Sequence, residues 1–286
     1  MIFSLPAPAK INLHLHISRV RADGMHELDT SFAFTQACDD LSFRDSDRIE
    51  VSCSRRHLAG ESNLVHKLLT AFKSRHHVDQ GLAVHIEKKI PEQSGLGGGS
   101  SDAATALMAA NQLWQTRIPM DELIEFAAPF GADIPCFLFG KASLARGVGE
   151  KLAPYPGRLP EGILLLAWPG NGLSTAEVFR HFDSRNHALT TSEALDTMRR
   201  DPIRPGENDL EISACSLSSH VERLLSFLRR QAGFAWMSGS GSTCAALLDD
   251  MAEADSIIME LKQQGLATWM HAGRIIASHP VRIGRY

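Results

Sequence analysis

Four glycines in five positions, Gly95-Leu96-Gly97-Gly98-Gly99, followed at once by Ser100 and Ser101, constrain this chain more than any other stretch. Before the loop, Leu82, Val84 and Ile86 alternate as in a strand and end at Pro91; after it, Ala103, Leu107, Ala110 and Trp114 mark one face of a helix. A glycine run at such a junction lets the backbone approach a ligand and take positive φ without a Cβ penalty. The helix that follows offers unpaired N–H groups and the positive end of its dipole, which together favour an anion. The run is not a Walker A loop, because no Gly-Lys-Ser/Thr closes it, and the dinucleotide spacing Gly-x-Gly-x-x-Gly fails. Taken alone it could also be a flexible turn with a serine cap, the weaker of the two readings. Asp102 is awkward for a phosphate site, since an acid in the first helical turn repels an anionic ligand unless it faces the metal, the ribose or the base.

The rest of the chain mixes strands and helices without strict alternation, which predicts an α+β architecture. Ile11, Leu13, Leu15 and Ile17 fall on one face of a half-buried strand over Ala9–Ile17, and Arg21-Ala22-Asp23-Gly24 reads as the turn after it. Short strands are expected over Leu41–Phe43 and Ile49–Cys53. Helices are expected behind Ser62-Asn63, over about Asp121–Pro129 and around Val221–Leu228, the last closed by Gly233. Ile163–Trp168 reads as a buried strand. Pro154–Gly162 is the expected domain junction, dividing the chain into 1–155 and 156–286, and Ser184–Glu207 reads as a surface excursion.

Composition narrows the function. A formal charge of −4 and a pI near 6.3, with basic residues only in isolated doublets, give no electrostatic case for nucleic acid. No apolar run approaches the roughly 18 residues that span a bilayer, and Lys10 and Asn12 interrupt the N-terminal apolar stretch. Five cysteines with no close pair argue against a disulfide framework or a zinc site. The expectation is a cytoplasmic protein with reduced thiols and no membrane partner.

Three segments in order carry a resemblance. Pro8-Ala9-Lys10-Ile11-Asn12-Leu13, the loop Pro91 to Ser101, and Met237-Ser238-Gly239-Ser240-Gly241-Ser242-Thr243-Cys244 resemble the three motifs of the GHMP kinases, which include galactokinase, homoserine kinase and mevalonate kinase. Arg21 to Leu28, the triple glycine with double serine, and Gly131-Ala132-Asp133-Ile134-Pro135 are most similar to the branch acting in non-mevalonate isoprenoid synthesis. The resemblance implies an N-terminal domain like ribosomal protein S5 domain 2 and a ferredoxin-like C-terminal domain, with the active site between them. It implies ATP, as magnesium ATP, and an alcohol carrying a cytidine diphosphate group, phosphorylated on its 2-hydroxyl.

It also implies roles. Asp133 would be the base that takes the hydroxyl proton, with Lys10 beside it keeping the carboxylate ionised and offsetting phosphoryl charge. Pro91, Glu92, Gln93, Ser94, Gly95, Leu96, Gly97, Gly98, Gly99, Ser100 and Ser101 would hold the triphosphate, with Asn63 and Lys88 near the adenine. Asn12, Met25, His26, Phe179, Gly239 and Ser240 would lie on the substrate side. Met25 stands where the family commonly carries a tyrosine that stacks on cytosine; its sulfur can touch a ring but offers no π face, so Phe179 would supply a wall. No carboxylate cluster identifies protein ligands for magnesium.

Other readings stay open at this point. Lys10 alone could be a snorkelling surface lysine, and Asp133 ahead of Ile134-Pro135 could simply cap a helix. The substrate could instead be of homoserine or mevalonate type, or the fold could serve as a non-catalytic nucleotide-binding module.

Overall fold

The computed structural model describes residues 3–185 and 206–281. The surface excursion expected over 184–207 falls, apart from its ends, outside the described residues. Strands β1 (Phe3–Val20) and β2 (His26–Ser46) form one long antiparallel hairpin, closed by the expected turn, where Gly24 takes φ 80°. The short strand expected over Leu41–Phe43 is therefore the end of a strand of 21 residues. Along its other edge β2 takes three partners in succession: β4 (Gly81–Glu87), β11 (Ile275–Ile276) and β5 (Ser143–Gly147). β3 (Ile49–Cys53) joins β4 in parallel through helix α1 (Leu64–Arg75), and β6 (Lys151–Pro154) extends β5.

Helix α1 starts where the sequence predicts, because Asn63 accepts the Val65 N–H at 2.8 Å. It buries Val65, Leu68, Leu69 and Phe72 against the sheet, each worth about 1.5–3 kcal/mol. Helix α2 (Gly98–Leu113) lies beside it and is almost wholly buried, which its alanine-rich sequence permits. Helix α3 (Met120–Ala127) passes through a single 3₁₀ turn, Ala128–Phe130, to the short helix α4 (Ile134–Phe139).

The second sheet begins at β7 (Ile163–Trp168). It continues after helices α5 (Thr175–Ser184), α6 (Glu211–Leu217) and α7 (Ser219–Ala232) with β8 (Ala235–Met237), β9 (Cys244–Leu248), helix α8 (Met251–Gln263) and β10 (Trp269–Gly273). Its spatial order, β10-β7-β9-β8, is all antiparallel. Numbered within the sheet that is 4-1-3-2, the β-α-β-β-α-β arrangement of ferredoxin-like folds. β11 then carries the chain back into the first sheet.

β1 departs from expectation in one respect. It is buried on both faces from Ala7 to Ile17, not half-buried. Ala9, Ile11 and Leu13 pack with Leu164, Leu166, Trp236 and Ala245 of the second sheet, and this contact turns the alternate side chains Lys10 and Asn12 toward a cleft. Their polar atoms are buried with partners, as burial requires.

Candidate active site

The cleft encloses a cavity of about 980 Å³. Two register shifts in the β1–β2 ladder, one between Pro8 and Lys10 and one between Asn12 and His14, bracket the residues that reach it. Such irregularities re-aim side chains. Lys10 is 4 % exposed; its ammonium donates to Asn12 Oδ1 at 2.5 Å, lies 3.9 Å from Asp133 Oδ2 and sits 5.4 Å from the Phe32 ring centroid. Asn12 is in turn held by Thr30, whose hydroxyl accepts from Asn12 Nδ2 at 2.9 Å.

Asp133 occupies the N-cap position of α4, yet its side chain makes no capping hydrogen bond. The carboxylate is 38 % exposed at the cavity wall and turned toward Lys10. The two local readings left open by the sequence, a snorkelling lysine and a capping aspartate, are thus not what the side chains do.

The glycine loop stands over this pair. Leu96 C=O accepts the Lys10 N–H at 3.0 Å, and Ser94 C=O accepts the Thr243 N–H at 3.0 Å. Ser238 Oγ bridges the layers, donating to Gly95 C=O (3.2 Å) and accepting the Asn12 N–H (3.3 Å). Gly95, at φ 79°, needs its missing Cβ: one would stand 2.5 Å from Ser238 C=O. Gly97, at φ 69°, begins α2 without a side-chain cap, so the first N–H groups of that helix open toward the cavity.

The cavity lining gathers nearly all of the expected residues. Pro91 to Gly95, Gly97 to Ser100, Asn63 and Lys88 line it, as do Asn12, Met25, His26, Phe179, Gly239 and Ser240. Leu96 and Ser101 do not. Leu96 packs in the core with Ile11 and Trp236, and Ser101 is fully buried on the inner face of α2.

Local geometry qualifies several of these positions. Asn63 spends both ends of its amide on the backbone of Val65 and Leu58. Lys88 is gripped by Asp39 and by Asp102, the latter at 2.8 Å. Asp102 thus faces inward onto a cation, which answers the charge problem it poses in sequence. Burial pushes its carboxyl up to about 7. Burial works against the Lys88 ammonium, but Asp102 and Asp39 outweigh it and raise its pKa.

At the far end of the cavity His26 lies against Phe179, ring centroids 4.5 Å apart, and its Nε2 is 2.7 Å from Asp183 Oδ1. Met25 beside it is half exposed. Ser240 shares a hydrogen bond of 2.9 Å with Thr175.

Sequence reasoning missed Thr30, Asp183 and Asn208. Asn208 Nδ2 donates to the carbonyls of both Met237 and Gly239 at 2.8 Å, bracing the third motif from a distant loop. None of the three carries a local signal, since each acts on a partner remote in the chain. His57 was missed too: with Arg55 (3.1 Å) it holds Glu92, at 3.0 Å, on the cavity rim. Partial burial would raise Glu92, but these two partners lower its pKa. Among the described residues no group of three or more His, Cys, Asp or Glu could hold a metal ion, and no helix is long and apolar enough to cross a membrane.

Comparison with known proteins identifies the family and the fold. The family model for the GHMP kinases N terminal domain matches residues 63–141, and that for the GHMP kinases C terminal matches residues 193–266. The 4-diphosphocytidyl-2-C-methyl-D-erythritol kinase of Alcanivorax borkumensis is 35% identical over 270 residues, covering 92% of this chain and 88% of that one. The enzyme of the same name from Nitrosococcus oceani is 39% identical over 253 residues, with 87% of each chain covered. A crystal structure of 4-(cytidine 5'-diphospho)-2C-methyl-D-erythritol kinase superposes with a TM-score of 0.79 at 31% identity, over 96% of this chain and 100% of the other. Mevalonate kinase from L. major, solved with R-mevalonate, reaches a TM-score of 0.72 at 16% identity, over 96% and 97% of the two chains, and shares the fold alone.

Proposed function

Because the chain belongs to the GHMP kinases and is an ATP-dependent small-molecule kinase, we propose that its acceptor is 4-diphosphocytidyl-2-C-methyl-D-erythritol, phosphorylated on the 2-hydroxyl. The observation that carries the chemistry is the Lys10–Asp133 pair, 3.9 Å apart on the cavity wall beneath the glycine loop. The substrate is supported by the names of the relatives and by the His26–Phe179 wall, an aromatic pair of the kind that receives a flat base.

In this reading Asp133 accepts the proton of the attacking hydroxyl, and Lys10 orients that carboxylate while it offsets charge on the phosphoryl group in flight. Phosphoryl transfer asks mainly for positioning and charge neutralisation. The N–H groups at the start of α2 and along Gly95–Ser100 supply both. Met25, His26 and Phe179 hold the base, while Asn12, Gly239 and Ser240 line the path between base and reacting hydroxyl. The division into 1–155 and 156–286 belongs to the same proposal, with β11 crossing back to the first part. Ser101 Oγ is buried away from the cavity, and the described residues offer no cluster of metal ligands. Magnesium is expected because ATP carries it.

A coupled assay of ADP release against a panel of alcohols tests the reading. Turnover is expected with the diphosphocytidyl alcohol and not with homoserine or mevalonate. Turnover with either of those, and none with the cytidyl compound, overturns it.

A further inference from the structure

The chain enters the glycine loop at Lys88–Ile90 and leaves it at Asp102, and both ends meet on one buried group of charges. Asp39, on β2, accepts the backbone N–H groups of Lys89 (2.6 Å) and Ile90 (2.8 Å) through Oδ1. Its other oxygen takes the Lys88 ammonium, which also donates to Asp102 Oδ2 at 2.8 Å. The Lys88, Asp39 and Asp102 side chains are 4 %, 0 % and 4 % exposed. A Cβ on Gly98 would stand 3.3 Å from Lys88 Nζ, so the cation lies directly under the first turn of α2.

A buried ion triad is a poor device for stability, because desolvation of its charges offsets much of their attraction and an apolar cluster of equal volume often does as well. Its value lies in fixing geometry. The triad joins three elements, β2, the end of β4 and α2, at the two feet of the loop whose N–H groups face the cavity. Asp102 Oδ1 is buried without a hydrogen-bond partner, and the carboxylate is held through Oδ2 by Lys88.

We infer that Asp39, Lys88 and Asp102 are positioning residues for phosphoryl transfer: the buried triad ties together the two ends of the glycine loop and holds its N–H groups at the spacing the nucleotide phosphates need. The inference rests on the kinase reading, and it gives Lys88 a part in placing the phosphates, not in touching the base. Loss of the triad loosens the loop while leaving the wall that receives the nucleoside intact.

Calorimetric titration of the full chain with ADP and, separately, with adenosine distinguishes these roles. Lys88→Met and the isosteric Asp102→Asn are expected to weaken ADP binding by about tenfold or more and to leave adenosine affinity within about twofold. Lys88→Arg, which keeps the charge, should recover part of the ADP affinity. Equal losses for ADP and adenosine would assign Lys88 to the base and overturn the inference, as would wild-type ADP affinity in both variants. If Lys88→Met does not fold, Asp102→Asn carries the test. Failure of the unsubstituted chain to bind ADP would instead remove the kinase reading itself, and this inference with it.

Discussion

Gly239 faces Lys10 so closely that a Cβ on the glycine would stand 3.3 Å from the ammonium nitrogen and 3.1 Å from Asn12 Oδ1. The third motif is thus a steric wall behind the lysine, and it needs glycine for space as well as for its φ of 57°. Substitution by alanine obliges the ammonium and the Asn12 amide oxygen to give by a few tenths of an ångström, which disturbs the placement of Lys10 beside Asp133.

Gly239→Ala is therefore expected to lower kcat by about tenfold. Gly233→Ala supplies the control. It imposes a similar backbone strain at φ 68°, with nothing within 4 Å of the new Cβ, and should cost stability but not turnover. Wild-type kcat in Gly239→Ala would contradict the close packing of the third motif on Lys10.

Asp133→Asn keeps the side chain's shape and removes its basicity. Turnover should fall by about 10²–10⁴, while the ATP affinity measured by titration stays within about twofold. Near-normal rates in this variant would refute the assignment of the base.

Phe179 tests the substrate wall. Removing a ring from a base-stacking site costs about 1–3 kcal/mol, so Phe179→Leu should raise KM for the cytidyl alcohol by about tenfold and leave KM for ATP unchanged. A matching rise in both KM values would point to a general loosening of the cleft, which this contact does not predict.

His279 gives the fold a pH dependence. Burial lowers its pKa from 6.5 to about 4, and its Nδ1 accepts the Val281 N–H at 3.1 Å. Between those values the unfolded chain binds a proton that the folded chain refuses, so stability falls as pH drops from 6.5 toward 4. The displacement corresponds to about 3 kcal/mol. His279→Asn retains an acceptor for Val281 and does not titrate. Denaturant midpoints at pH 7 and pH 4.5 should show the wild type losing distinctly more stability than the variant; equal losses would remove His279 as the cause.

Much of the fold was legible because its signals are local. Asn63 before an apolar helix face, Gly24 after Asp23 and Gly233 after Leu228 each act on residues a few places away, and each element begins or ends where they indicate. Errors came where an element's length or burial depends on distant partners. β2 runs to 21 residues because three separate strands bond along its edge, and no single stretch of its sequence records them. β1 is buried on both faces because the second sheet, more than 140 residues later in the chain, packs on its apolar side.

The same division runs through the candidate site. The three glycine and lysine motifs are visible in the linear chain, since close backbone approach and a charged group leave compositional marks. Asp183, Asn208 and the partner of Asp102 leave none. Their side chains act through space on His26, on the third motif and under the phosphate loop, and any polar residue at those positions reads alike in one dimension. The residues themselves determined which chemistry was available: glycines for an anion, a lysine and an aspartate for a proton and a charge. Only the packing of α2 on β1 and of α4 on α2 decided that the two charged groups would meet, because side chains separated by 123 positions in sequence approach within 3.9 Å through packing that neither segment encodes alone.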